Sequence, residues 1–179
     1  MSNYTEKTKT KDLAKAGVFA ALLCVISPFT IPIGPVGITL ATFGVYLAGA
    51  VLGWKNGGVA VAAYLMLGLI GLPVFSGFSG GIQRLAGPTG GYLVGYIPCA
   101  VITGLFAEKI KKFHAIPIGM ILGTVVLYLF GTTWYCIMSG SKILPALSMC
   151  VIPFLPGDSV KIACASVLGA KLRELSQKI

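Results

Sequence analysis

An all-α integral membrane protein, built as a compact bundle of six transmembrane helices with both termini in the cytoplasm, is the fold class this chain predicts. Three observations carry it. Of the 179 residues, 56% are hydrophobic and 11% charged, and the mean hydropathy is +0.89. Soluble domains carry about 25% charged residues, and a soluble chain of this size has too little polar surface to cover so much apolar material. The apolar residues fall into six runs separated by proline, glycine or lysine. The basic residues, 14 against 5 acidic ones, cluster beside those runs. A soluble enzyme and a disordered protein are both excluded.

Each element follows in order. Residues 1–12 are polar and lysine-rich (Lys7, Lys9, Lys11) and read as a cytoplasmic tail. A signal peptide shares this charge-then-apolar order, but no small-residue cleavage site precedes a mature domain, so residues 13–30 are expected to be an uncleaved first span. Pro28, Pro32, Gly34, Pro35 and Gly37 break the chain before a second span at 38–54. Lys55-Asn56-Gly57-Gly58 marks the passage to a third, 57–72. A long glycine-rich segment from Pro73 to Gly91 leads into a fourth, 90–108, and Lys109–His114 into a fifth, 115–138. Ser139–Gly157, with Pro145, Pro153 and Pro156, precedes the sixth, 157–175. At about 20 residues per crossing this uses nearly the whole chain, so residues 13–176 form one membrane domain. Some runs are shorter than a crossing, and their helices are expected to be short or to extend into the flanks.

Sidedness follows from the basic residues. Lys7, Lys9, Lys11, Lys15, Lys55, Lys109, Lys111, Lys112, Lys171, Arg173 and Lys178 fall on one side; Arg84, Lys142 and Lys161 fall on the other. The richer side is cytoplasmic by the positive-inside rule. No basic stripe with interleaved aromatics exists, so nucleic acid is not an expected partner.

The chemistry is sparse. Five cysteines without a C-x-x-C pair and a single histidine, His114, give no metal-ligand pattern. No G-x-x-x-x-G-K-[ST] occurs, so the chain cannot hold ATP in a P-loop. No nucleophile–base constellation or membrane-depth proton relay is evident, and no enzymatic activity is expected. Asp158 and Lys161 stand three residues apart, on one helix face. The acid suits a helix start, whereas the lysine opposes the dipole and lies on the lysine-poor side. They form either a structural ion pair or a site for a ligand bearing a carboxylate and hydrogen-bonding groups. The glycine-rich segment is either an external hairpin or non-helical backbone lining a cavity. Within it Arg84 is either a solvated cation or a ligand contact, and Tyr92 an interfacial aromatic or a stacking group. Ala16 and Ala20, Gly49 and Gly53, and Gly119 and Gly123 place small residues one turn apart, which suits internal packing or contact with another subunit.

Several blocks carry a likeness. Gly71-Leu72-Pro73-Val74-Phe75, Gly87-Pro88-Thr89-Gly90-Gly91-Tyr92 and Pro156-Gly157-Asp158 with Lys161, in this order and spacing, resemble the BioY family, the biotin-binding S components of energy-coupling-factor (ECF) transporters of prokaryotes. The likeness covers about Leu13 to Leu172. It implies a plasma-membrane protein with an outward-facing biotin site and no cofactor. It also implies partners that drive uptake, a transmembrane scaffold (T component) and two ATP-binding subunits. Carried over by position, Asp158 accepts the ureido N–H groups and Lys161 pairs with the carboxylate. Gly80, Gly81, Gly90 and Gly91 bring backbone against the ligand, while Phe75 and Tyr92 cover its apolar part. Ser79 stands where other members carry an amide and Leu93 where they carry a basic residue, which leaves Arg84 as the expected second carboxylate partner. Ala16 and Ala20 match the small-residue motif by which S components meet the scaffold. The competing expectations are a stand-alone facilitator or channel for a small organic acid, and an S component for another vitamin.

Overall fold

The computed structural model describes residues 2–31, 37–110 and 114–178. Pro32, Gly34 and Pro35 of the first break, and Lys111 and Lys112 of the basic count, lie outside the described residues. The chain forms α1 (Ser2–Ile26), a two-strand ladder β1 (Thr30–Ile31) and β2 (Ile38–Thr39), then α2 (Ala41–Leu69), α3 (Ile82–Leu85), α4 (Gly90–Lys109), α5 (Ala115–Ser139), α6 (Ile143–Cys150) and α7 (Leu155–Lys178). Among the described residues four stretches are long and apolar enough to cross a membrane: Ala41–Leu69, Gly90–Lys109, Ala115–Ser139 and Ile143–Ser176. The helix of α1 begins at Ser2, so the polar residues expected as a tail extend the first helix, and it ends at Ile26 rather than residue 30.

The second helix, α2, is a hairpin. Gly53 has φ 81° and ψ −176°, non-helical values inside α2. A Cβ on Gly57 would lie 2.9 Å from the Ala48 carbonyl oxygen, whereas residues nine apart on one straight helix are separated by about 13 Å. The arms 41–52 and 54–69 therefore run antiparallel. The break falls at Gly53, not in the Lys55–Gly58 run, which is helical. The Lys55 ammonium sits 5.2 Å from the centre of the Trp54 ring, a cation–π contact that keeps its charge at the membrane edge.

Helix α4 packs against α2 and α5, α1 against α2, and α2 against α7. Small residues set these approaches. A Cβ on Gly123 of α5 would meet the Cys99 carbonyl oxygen of α4 at 2.9 Å, and one on Gly49 of α2 would meet that of Ala100 at 2.5 Å. The Gly49/Gly53 and Gly119/Gly123 pairs thus serve internal packing. Ala16 and Ala20 do so too, being 3% and 4% exposed in line with Leu23 and Ser27, a stripe one and two turns apart that faces α2. In the isolated chain both alanines are therefore turned inward. The outward face of α1 carries Gly17, Val18, Ala21, Leu22 and Val25 instead.

Polar ties brace the end remote from the last helix's start. Arg173 donates to the Ala50 carbonyl at 2.8 Å, and Lys15 to that of Ser176 at 2.8 Å. Both satisfy carbonyls that a helix C-terminus leaves unpaired.

Candidate ligand-binding site

At the opposite end of α7 the structure encloses a cavity of about 300 Å³, at the small end of the range for organic ligands. Its deepest polar group is built at the start of α7. Asp158 and Lys161 are 5% and 9% exposed, and Lys161 Nζ lies 2.8 Å from Asp158 Oδ1. The ammonium also donates to Thr42 Oγ1 at 3.0 Å. The second carboxylate oxygen, Oδ2, accepts the Tyr128 hydroxyl at 2.6 Å. Thus α2, α5 and α7 meet on one carboxylate. Taking two charges out of water is costly even when they pair, and ionisable groups at membrane depth mark function. The two sequence alternatives for this pair are not exclusive: the ion pair forms, and both its members line the cavity.

Thr42 and Tyr128 were not singled out from the sequence. Hydroxyls are common in membrane helices, so neither residue carries the signal that a charge does. Thr39, another lining residue, fixes the start of α2 by donating to the Ser27 carbonyl at 2.8 Å and accepting from the Ala41 N–H at 3.1 Å.

The wall facing this group is aromatic. Phe75, Tyr92, Tyr96, Leu127 and Phe154 line it, with Cys150 beside them. Phe75 is held edge-on to Tyr64, centroids 5.6 Å apart, as aromatic quadrupoles favour. Tyr92 donates to the Cys150 carbonyl at 3.1 Å, which ties α4 to α6. Phe75 and Ser79 pair across a tight loop whose Gly77 and Phe78 both have positive φ, 71° and 54°. That loop contributes Ser76, Gly77 and Ser79 to the cavity. It is fastened to the first loop by Gly77 N–H donating to the Pro28 carbonyl at 3.0 Å and by Phe78 edge-on to Phe29.

Of the residues expected at the site, Asp158, Lys161, Arg84, Ser79, Tyr92 and Phe75 line the cavity. Gly80, Gly81, Gly90 and Gly91 are not among the lining residues. A Cβ on Gly80 would collide with the Leu72 carbonyl, one on Gly90 with that of Leu85, and one on Gly91 with the Trp134 side chain. Gly81 donates its N–H to the Gly68 carbonyl at 2.7 Å. These glycines let loop and helix approach each other. Arg84, on α3, is exposed at the cavity rim. Since Asp158 and Lys161 neutralise each other, Arg84 leaves the lining one positive charge in excess. Among the described residues no cluster of three or more His, Cys, Asp or Glu gathers to hold a metal.

A cavity with an aromatic wall, a buried ion pair and a cationic rim, set in a helical domain with membrane-length apolar helices, defines a multi-pass membrane protein with a candidate site for a small organic ligand. The chain belongs to the BioY family, whose model matches residues 1–178. It is 41% identical over 168 residues to the biotin transporter BioY of Thermotoga maritima, covering 92% of this chain and 97% of that one. It is 37% identical over 172 residues to the biotin transporter BioY of Rhizobium etli, covering 89% and 91%. Its fold matches a 2.1 Å crystal structure of the S-component for biotin from an ECF-type ABC transporter, with TM-score 0.87, 32% identity and 94% and 93% of the two chains covered.

Proposed function

We propose that this protein captures biotin with high affinity and serves as the S component of an ECF-type transporter in a prokaryotic plasma membrane. The observation that carries this reading is the pairing of a buried Asp158–Lys161 group with an aromatic wall and a cationic rim. Biotin is a planar urea on an apolar bicycle with one carboxylate at the end of a chain. Asp158 accepts a urea N–H and Lys161 donates to the urea oxygen or, with a curled chain, to the carboxylate. Phe75 and Tyr92 cover the bicycle, Ser79 adds a rim hydroxyl, and Arg84 binds the carboxylate. Titration calorimetry of biotin into the purified protein, with riboflavin and thiamine beside it, is expected to give tight one-to-one binding of biotin alone. Absence of biotin binding in a monodisperse sample would sink the reading. Arg84→Ala is expected to weaken biotin about tenfold but to leave biotin amide nearly unchanged. Equal losses for acid and amide would remove Arg84 from the site.

We further propose six spans, the arms of α2 counting as two, with both termini cytoplasmic and the cavity opening outward. Lys15, Lys55 and Arg173 gather at the Gly53 end, away from the cavity, which is the arrangement the positive-inside rule favours. Energy for uptake comes from a T component and two ATP-binding subunits, and the T component docks on the outward face of α1. Co-expression with such partners gives a direct test. Gly17→Trp and Ala21→Trp are expected to abolish co-purification while leaving biotin binding intact, whereas Ala16→Trp, aimed into the bundle, impairs both. A complete complex recovered from Gly17→Trp and Ala21→Trp alike would show that docking occurs elsewhere.

A further inference from the structure

One carboxylate in the cavity is held from three helices, and its lone pairs can be counted. Asp158 Oδ1 lies 2.8 Å from Lys161 Nζ and 3.5 Å from Thr42 Oγ1. Oδ2 accepts from Tyr128 at 2.6 Å. A carboxylate offers about four acceptor positions, so one remains, on Oδ2. The torsion that turns an aspartate carboxylate is broad and roughly two-fold. Lys161 grips one oxygen and does not lock it. Without the Tyr128 hydroxyl the group is free to turn both oxygens toward the ammonium, and its open acceptor positions lose their fixed direction into the cavity. Tyr128 itself lines the cavity, so it acts from the ligand's side of the carboxylate.

We infer that Tyr128 is a positioning residue that sets specificity for a ligand head carrying an N–H donor, by holding Asp158 Oδ2 with one acceptor position open. This rests on the biotin reading above. The test is calorimetric titration of the full chain in detergent with biotin and with the cyclic carbamate analogue, in which oxygen replaces one urea N–H. The parent protein is expected to prefer biotin at least tenfold. Tyr128→Phe is expected to weaken biotin about tenfold and the analogue less than about threefold, collapsing the preference. In an Asp158→Asn background the same change is expected to add little. A second pair, Tyr128→Gln and Tyr128→Leu, separates donor from bulk: glutamine keeps an N–H donor and retains the preference, and leucine loses it. Equal loss for both ligands, or an unchanged preference in Tyr128→Phe, would overturn the assignment and leave the biotin reading standing. A parent protein that binds neither ligand overturns the biotin reading, and this assignment with it.

Discussion

Lys161→Ala is expected to raise the dissociation constant for biotin at least tenfold and to lower thermal stability in the same preparation. Two effects combine. The ammonium donates to Asp158 and Thr42 and faces the cavity, so a charge-assisted contact to the ligand is lost, worth about 1.5–3 kcal/mol. Its removal also strands the Asp158 carboxylate, 5% exposed, without a counter-ion, and breaking one side of a buried pair costs about 3–5 kcal/mol. Asp158→Asn keeps the shape and leaves Lys161 its Thr42 contact. It is expected to weaken biotin by a comparable factor with a smaller loss of stability. Calorimetry and thermal unfolding on the same detergent samples separate the two effects. Parent-like affinity in both variants would place the ligand elsewhere.

Gly53→Val is expected to be the most disruptive single change outside the cavity. With φ 81° and ψ −176°, position 53 occupies a region of backbone space that is essentially glycine's alone. A branched side chain there has no conformation that preserves the reversal. The carboxylate of Glu108 from α4 also lies where a Cβ would be placed. Strain and displacement together cost about 3 kcal/mol or more, which corresponds to a fall of roughly 10 °C in the unfolding temperature for a chain of this size. Gly17→Val is the control, since nothing lies within 4 Å of a Cβ there. Equal unfolding temperatures for the two variants would show that the reversal does not depend on Gly53.

The parts of this molecule that were legible are those where one residue carries a scarce signal. Helices α4 and α5 begin and end within a residue of the expected limits 90–108 and 115–138, because glycine, proline and lysine mark them. The hairpin of α2 was misplaced. A Lys-Asn-Gly-Gly run reads as a loop, yet the chain turns on the dihedral angles of one earlier glycine, and Lys55–Gly58 stay helical. At the site, Asp158 and Lys161 stood out because charge at membrane depth is rare. Thr42 and Tyr128 did not, because their role exists only where α2, α5 and α7 converge, and no spacing along the chain encodes that meeting. Gly80 and Gly90 illustrate the converse. A glycine reports that something approaches closely, and in both cases the visitor is the protein's own backbone.

The short first arm of α2 has a consequence for the surrounding lipid. Twelve helical residues, 41–52, rise about 18 Å, against a hydrocarbon thickness of about 30 Å. On the proposed six-span reading Trp54 and Lys55 hold the Gly53 end at one interface, so the deficit of about 12 Å falls at the other end, where Ala41 and Thr42 begin the arm. Hydrophobic mismatch of this size is relieved by tilt, by local thinning of the bilayer, or by protein and water filling the gap. At that end lies the ladder of β1 and β2, and the Phe75–Ser79 loop is fastened to the stretch before it through Gly77 and Phe78. On that six-span reading the cavity is a well sunk beneath the headgroup plane: its floor is reached through loops and solvent, and the bilayer beside it has no full-length helix in this arm to lean on.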